Sequence, residues 1–365
     1  MRFRAWSCAA AVAVLGLVLT ACSDRSGTAP NQSTRFDAAT LEANVAAMER
    51  ISSTPVLVSF AALGSHLGSA GVAVPPATSE AGLAAAGRVA RLVSRIAGLV
   101  GPGTNAQLVP IIRSSVLGKT FVYDSATKRY VVDPARTGAP ANGVRFILYQ
   151  IDPATKEPKP GVETGYADLI DEEASSTTSL GLRLRVVSQG TTYLEYAFEV
   201  SGQVVSPTLA VNGYLTDGTD RLNFQLTASG QLIGNGGAIR LDARLEVPSH
   251  QFSVTATVQG IGGGGNGDGQ VDLTVRSGTD VIVVAGKVQG GQLDASFRVN
   301  GALLATATGD PKSPVIRGQD GRELTAEEVK ALQQIVGLTE GIFKLFYGLL
   351  EPVAALLGLG LGVGG

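Results

Sequence analysis

Between Leu180 and Thr308 apolar and polar residues alternate in runs of about eight, each closed by a turn of Gly, Asn or Asp. A period of two sends successive side chains to opposite faces of a strand. In Thr191–Val200, Leu194, Tyr196, Phe198 and Val200 therefore share one face, while Glu195 and Glu199 take the other. Ile239, Leu241, Ala243, Leu245 and Val247 alternate in the same way with Arg240, Asp242, Arg244 and Glu246, which predicts one wet and one dry face. Turn signals fall at Gln189-Gly190, Asp217-Gly218, Asn235-Gly236-Gly237, Gly290-Gly291 and Asn300-Gly301. The pattern predicts an antiparallel meander of about ten strands, which at ~4.8 Å spacing would be roughly 48 Å wide if flat. A twisted sheet of that width curls, so a half-barrel or a closed barrel is expected. Small inward residues such as Ala243, Ala256, Ala295 and Ala305 leave room inside it, for helices or for a ligand.

The flanks change period. Leu41, Val45, Met48 and Ile51 recur at helical spacing after Phe36. Thr54-Pro55 marks a second helix, with Thr as cap and Pro in the first turn. A third is expected from about Ser79 to Val100, carrying Val89, Leu92, Val93, Ile96 and Leu99 opposite a stripe of Arg88, Arg91 and Arg95, which reads as a solvated face. From Gln107 to Asp171 strands reappear in a proline-rich, loop-rich region holding Pro134, Pro140, Pro153, Pro158 and Pro160. Two segments there echo each other, Asp124-Ser-Ala-Thr-Lys128 and Asp152-Pro-Ala-Thr-Lys156, and both read as turns opened by Asp. At the C-terminus Thr325 and Glu328 form a capping box ahead of Val329, Leu332, Ile335, Val336, Ile342, Phe343, Phe346, Leu349 and Leu350. Past Ile335 only Glu340, Lys344 and Glu351 are charged, so this helix needs burial; Pro352 is expected to bend or end it. The fold class is thus mainly β with flanking helices (α+β), the sheet covered or plugged by N- and C-terminal helices. The expected organisation is 1–21 leader, 22–35 tether, 36–105 helical segment, 106–320 β domain and 321–358 apolar helix.

The N-terminus supplies an address. Arg2 and Arg4 precede an apolar run from Cys8 to Leu19, followed by Leu19-Thr20-Ala21-Cys22. This resembles the signal peptide and lipobox of a bacterial lipoprotein precursor. The resemblance implies that Cys22 is lipidated and becomes the first mature residue, tethering the protein to a membrane in the cell envelope. Ser23 rather than Asp after the Cys implies, by similarity to enterobacterial sorting, the outer membrane, facing the periplasm or the cell surface. Removal of residues 1–21 leaves 27 basic against 31 acidic residues, a net charge of −4. It also leaves Cys22 as the one cysteine, so no disulfide, thiol nucleophile or Cys metal site is expected.

Chemistry is sparse. With 29 basic and 31 acidic residues and no basic run, nucleic acid is not an expected partner. The two histidines, His66 and His250, lie in different segments. A Ser-His-Asp triad through His250 has no nucleophile-elbow motif behind it. Asn266-Gly-Asp268-Gly-Gln-Val-Asp272 is similar to the middle of a calcium loop, but Gly264 and Val275 stand where the first and the bidentate ligands belong, so it reads as a Gly-rich hairpin. The acidic runs Asp171-Glu172-Glu173 and Glu327-Glu328 suit a loop and a helix start. No catalytic residue, cofactor or metal is expected, and no ligand-binding residue can be named. The expectation is a non-enzymatic envelope lipoprotein acting as a membrane-tethered structural or interaction module, its helices filling the sheet. The alternative is a carrier of a lipid or other apolar small molecule, similar in outline to half-barrel lipid-carrying lipoproteins.

Overall fold

The structure, a computed structural model, describes residues 37–67, 112, 114–172, 179–203, 206–233, 236–262, 268–311 and 313–356. Cys22, the tether, the helix expected over Ser79–Val100 and the glycine run at 263–267 lie outside these residues. The elements in order are α1 (Ala38–Ser52), α2 (Pro55–His66), β1 (Lys119–Asp124), β2 (Arg129–Val132), β3 (Gly143–Ile151), β4 (Pro158–Glu172), β5 (Ser179–Ser188), β6 (Thr191–Gln203), β7 (Ser206–Thr216) and β8 (Arg221–Ile233). They continue with β9 (Gly236–Val247), β10 (Phe252–Gly262), β11 (Asp268–Ser277), β12 (Asp280–Gln289), β13 (Gln292–Val299), β14 (Ala302–Gly309), β15 (Val315–Gly318) and α3 (Ala326–Leu356). The protein is mainly β with flanking helices. β5–β14 are the ten meander strands that the alternation predicts.

Hydrogen bonding orders the strands β15 through β3 in chain sequence, then β1 and β2. The order begins at β15 and ends at β2, so the sheet is not closed, and the closed-barrel alternative is corrected. It is also not wholly antiparallel: β1 pairs with β3 in parallel, Phe121 opposite Phe146. Val144, Phe146, Ile147, Leu148 and Tyr149 of β3 are all buried, as fits a strand inside the sheet with both faces covered. β2 has four residues with Val131 and Val132 about 40% exposed, and suits an edge.

Local chemistry sets the boundaries. Gln189-Gly190, Gly290-Gly291 and Asn300-Gly301 each place two successive residues at positive φ, the I′ geometry that matches strand twist. The Asp37 carboxylate caps α1, accepting from Thr40 N at 3.0 Å. Pro55 opens α2 as expected, yet the Thr54 hydroxyl makes no cap bond, which corrects that part of the reading. β4 starts at Pro158 and runs through Pro160, where a loop was expected. This is tolerated because β5 pairs only with Tyr166–Glu172 and the β3 side is bulged near Tyr149, so the first half of β4 has a free edge. Pro352 does not end α3, which continues to Leu356.

The chain divides into two compact units. Among the described residues, one comprises 37–47 and 228–346, the other 48–67, 112–227 and 347–356. In the first, Leu241, Leu245, Val254, Leu273, Val284, Phe297 and Ala305 form the dry side of β9–β14. On the wet side Arg240 faces Asp242 at 2.6 Å, and Arg244 Nε reaches Glu246 at 2.9 Å. The capping box closes the start of α3: Thr325 N donates to Glu328 Oε2 at 2.9 Å, and Glu328 N donates to Thr325 Oγ1 at 3.3 Å. Arg322 adds two bonds to the same carboxylate. In the second unit α2 lays Val56, Leu57, Phe60 and Leu63 on β3–β6. Gly165 allows this approach, since a Cβ there would sit 3.1 Å from Val56 Cγ2 and 2.2 Å from Val187 O. The opposite face carries a charge rung across four strands, Arg145, Asp168, Arg185 and Glu195. Asp168 is fully buried and accepts from Arg145 at 2.7 and 2.9 Å and from Arg185 at 3.1 Å. Arg145 lies 3.6 Å over the Tyr166 ring.

Candidate functional site

The residues expected to line an interior are Leu194, Tyr196, Phe198 and Val200 in one unit and the small alanines of the meander in the other. All four of the former are buried, and Tyr196 sits on a rung with Leu184 and Gly213. The rung works only with glycine opposite the ring, because a Cβ on Gly213 would lie 2.4 Å from Tyr196 Cβ and 2.2 Å from Glu195 O. Phe224 packs edge-on against Tyr196 at 5.9 Å. The phenol donates to the Leu349 carbonyl at 2.8 Å, between partners 153 residues apart. Burial pushes that phenol well above the ordinary tyrosine range, so it remains a donor.

The Leu349 carbonyl lies three residues before Pro352. A proline has no N–H for the carbonyl four residues back, here Gly348 O, and its ring pushes the preceding turn open. Tyr196 thus supplies a donor where the helix is weakened by its own sequence. α2 reaches the same place: the would-be Cβ of Gly64 lies 3.3 Å from Pro352 Cα. Beside them burial raises the Glu351 carboxyl above the usual range, favouring its neutral form. The C-terminal turns of α3 therefore occupy the dry side of this unit. In the other unit Ala295 and Ala305 are 1% and 0% exposed, Ala243 and Ala256 are buried, and so are Leu332, Ile335, Leu338, Ile342 and Phe346 of α3. The small residues are buried rather than lining open space.

A second cluster gathers the titratable groups. His66 ends α2, and its ring meets that of Tyr123 edge-on at 5.3 Å. Its Nδ1 is 3.8 Å from Glu157 Oε2, and its Nε2 is buried without a partner. Glu157 accepts from the Tyr123 hydroxyl at 2.5 Å and from Lys128 Nζ at 3.1 Å. The bond to Tyr123, with Lys128 next, holds the Glu157 carboxyl below its ordinary range. Burial and that carboxylate push Tyr123 up to about 12. Burial lowers His66 despite Glu157 beside it.

The remaining candidates stay apart. His250 ends a short 3-10 turn, Pro248–His250, between β9 and β10, away in sequence and unit from His66. Asp268 and Asp272 lie in β11; Asp268 Oδ1 accepts from Gly290 N, and Asp272 Oδ2 accepts from Gln270. The stretch expected to resemble a calcium loop is therefore in part a strand. Asp171 and Glu172 close β4 rather than lie in a loop, and Glu172 pairs with Arg183 at 2.6 Å. Neither the Asp168 rung nor the His66 cluster was singled out from sequence; strand register and the meeting of distant turns make them, and alternation carries no record of either. Among the described residues no helix is long and apolar enough to cross a membrane.

No protein-family profile matches the chain, nor does any curated protein or solved structure.

Proposed function

We propose that the protein is a non-enzymatic lipoprotein of the cell envelope, anchored through Cys22, whose β domain is a tethered structural or interaction module. The observation that carries this reading is the occupancy of the dry side by the chain itself. Tyr196, at the middle of its rung, donates its hydroxyl to Leu349 of the C-terminal helix, and the inward alanines are buried. A plug that is part of the same chain loses no translational entropy on docking, so it has an advantage over a free ligand. On the opposite face the buried Asp168 is held by Arg145 and Arg185, and Arg240–Asp242 and Arg244–Glu246 pair at the surface.

Two measurements test this. In cell fractionation, Cys22→Ser should move the protein out of the membrane fraction; continued membrane association would sink the anchor. Native mass spectrometry of protein lacking residues 1–22 should give the bare chain mass and no uptake of a fluorescent fatty acid. A stoichiometric lipid that exchanges with the fatty acid would favour the carrier function instead.

A further inference from the structure

The two echoing turns converge on one residue. In both, Asp accepts from the amide two residues on, Asp124 from Ala126 at 3.0 Å and Asp152 from Ala154 at 2.8 Å. In both, the closing lysine takes positive φ, 54° at Lys128 and 62° at Lys156. The first turn sends Lys128 Nζ to Glu157 Oε1; the second ends immediately before Glu157 and sets its backbone, Asp152 N donating to Glu157 O at 2.9 Å. The last residue of α2, His66, sits over this junction. Its surroundings hold one carboxylate, one ammonium and one phenol, Glu157, Lys128 and Tyr123, with Tyr130 edge-on behind Tyr123 at 5.9 Å, and the ring also bonds the Lys156 backbone. Asp124 and Asp152 are turned into their own loops, and Asp152 also pairs with Lys159 at 3.2 Å.

We propose that this junction is an acid-released latch, in which a proton taken up by the His66 ring loosens the end of α2 from the two turns. In the neutral ring the unpartnered Nε2 is an acceptor without a donor, a smaller cost than a charged N–H buried without an acceptor. Protonation makes both ring nitrogens donors, leaves Nε2–H without an acceptor, and places a cation where burial outweighs both the attraction of Glu157 and the bond to the Lys156 backbone. Glu157 offers limited relief, because Oε2 already accepts from Tyr123 and Oε1 from Lys128. The sign follows from linkage. A histidine whose folded pKa lies below its unfolded value of 6.5 contributes stability that is present above 6.5 and lost as pH falls from there toward the folded pKa. The α2 end is therefore held at neutral pH and freed in mild acid.

Hydrogen exchange by mass spectrometry on the full chain, at pH 7.5 and pH 5 with the intrinsic rate change corrected, reads the latch directly. Peptides covering the last turn of α2 and the 124–128 and 152–157 turns should lose protection severalfold at pH 5. In His66→Gln, which cannot titrate, their protection should not change with pH. Because a core variant can disturb packing, Glu157→Gln gives a second arm: with the carboxylate gone, His66 should titrate at still lower pH in ¹⁵N-histidine NMR. His250→Asn leaves His66 as the sole histidine signal. An acid response that persists in His66→Gln, or a His66 that titrates above 6.5, would overturn the latch.

Discussion

Replacing Tyr196 with Phe isolates one hydrogen bond without opening a cavity. The hydroxyl is buried and its acceptor, Leu349 O, is buried beside a helix rung that Pro352 cannot complete. Removing the donor leaves a desolvated carbonyl, which costs about 1–3 kcal/mol, more than the ~1 kcal/mol net value of an ordinary hydrogen bond. For a unit of this size that is a fall in Tm of roughly 2–4 °C per kcal/mol, readable by calorimetry. The reasoning makes a sharper statement through Pro352. With Pro352→Ala an N–H returns to Gly348 O, the turn closes, and Leu349 O is served by the helix's own Val353 N. Tyr196→Phe should then cost less in the Pro352→Ala background than in the native chain, by more than the ~0.5 kcal/mol within which independent sites add. Equal costs in the two backgrounds would refute the link between the phenol and the proline.

Other outcomes follow from the packing and the cap. Gly213→Ala should destabilise by about 1–3 kcal/mol in chemical denaturation, because its Cβ would meet Tyr196 and the Glu195 carbonyl; an unchanged midpoint would show that the rung relaxes freely. Ala305→Leu adds volume to a site with 0% exposure and should likewise cost about 1–3 kcal/mol, whereas a cavity waiting for a ligand would accept it without loss. Burial raises the Glu328 carboxyl, but the bonds from Arg322 and Thr325 prevail and hold it below its usual value. Its contribution is therefore present above the unfolded pKa near 4.5 and lost as pH falls through the folded value, so Glu328→Gln should flatten that acid limb of stability.

Much of this was determined by sequence alone, because it is local. A period of two decides which side chains share a face, and a pair such as Asn300-Gly301 decides a turn by its tolerance of positive φ. Thr325 and Glu328 cap a helix three residues apart whatever surrounds them. Partner choice was decided only in three dimensions. β3, buried on both faces, sits between β1 and β4, and its parallel pairing with β1 skips the simple hairpin order that neighbouring segments would take by local signals alone. The prolines of β4 are accepted because half that strand has a free edge, a property of where β5 stops. Tyr196 finds Leu349 across 153 residues, and two turns that look alike in sequence become one junction only when the sheet brings Lys128 to Glu157. Such contacts depend on register and on which element covers which face, and alternation records neither.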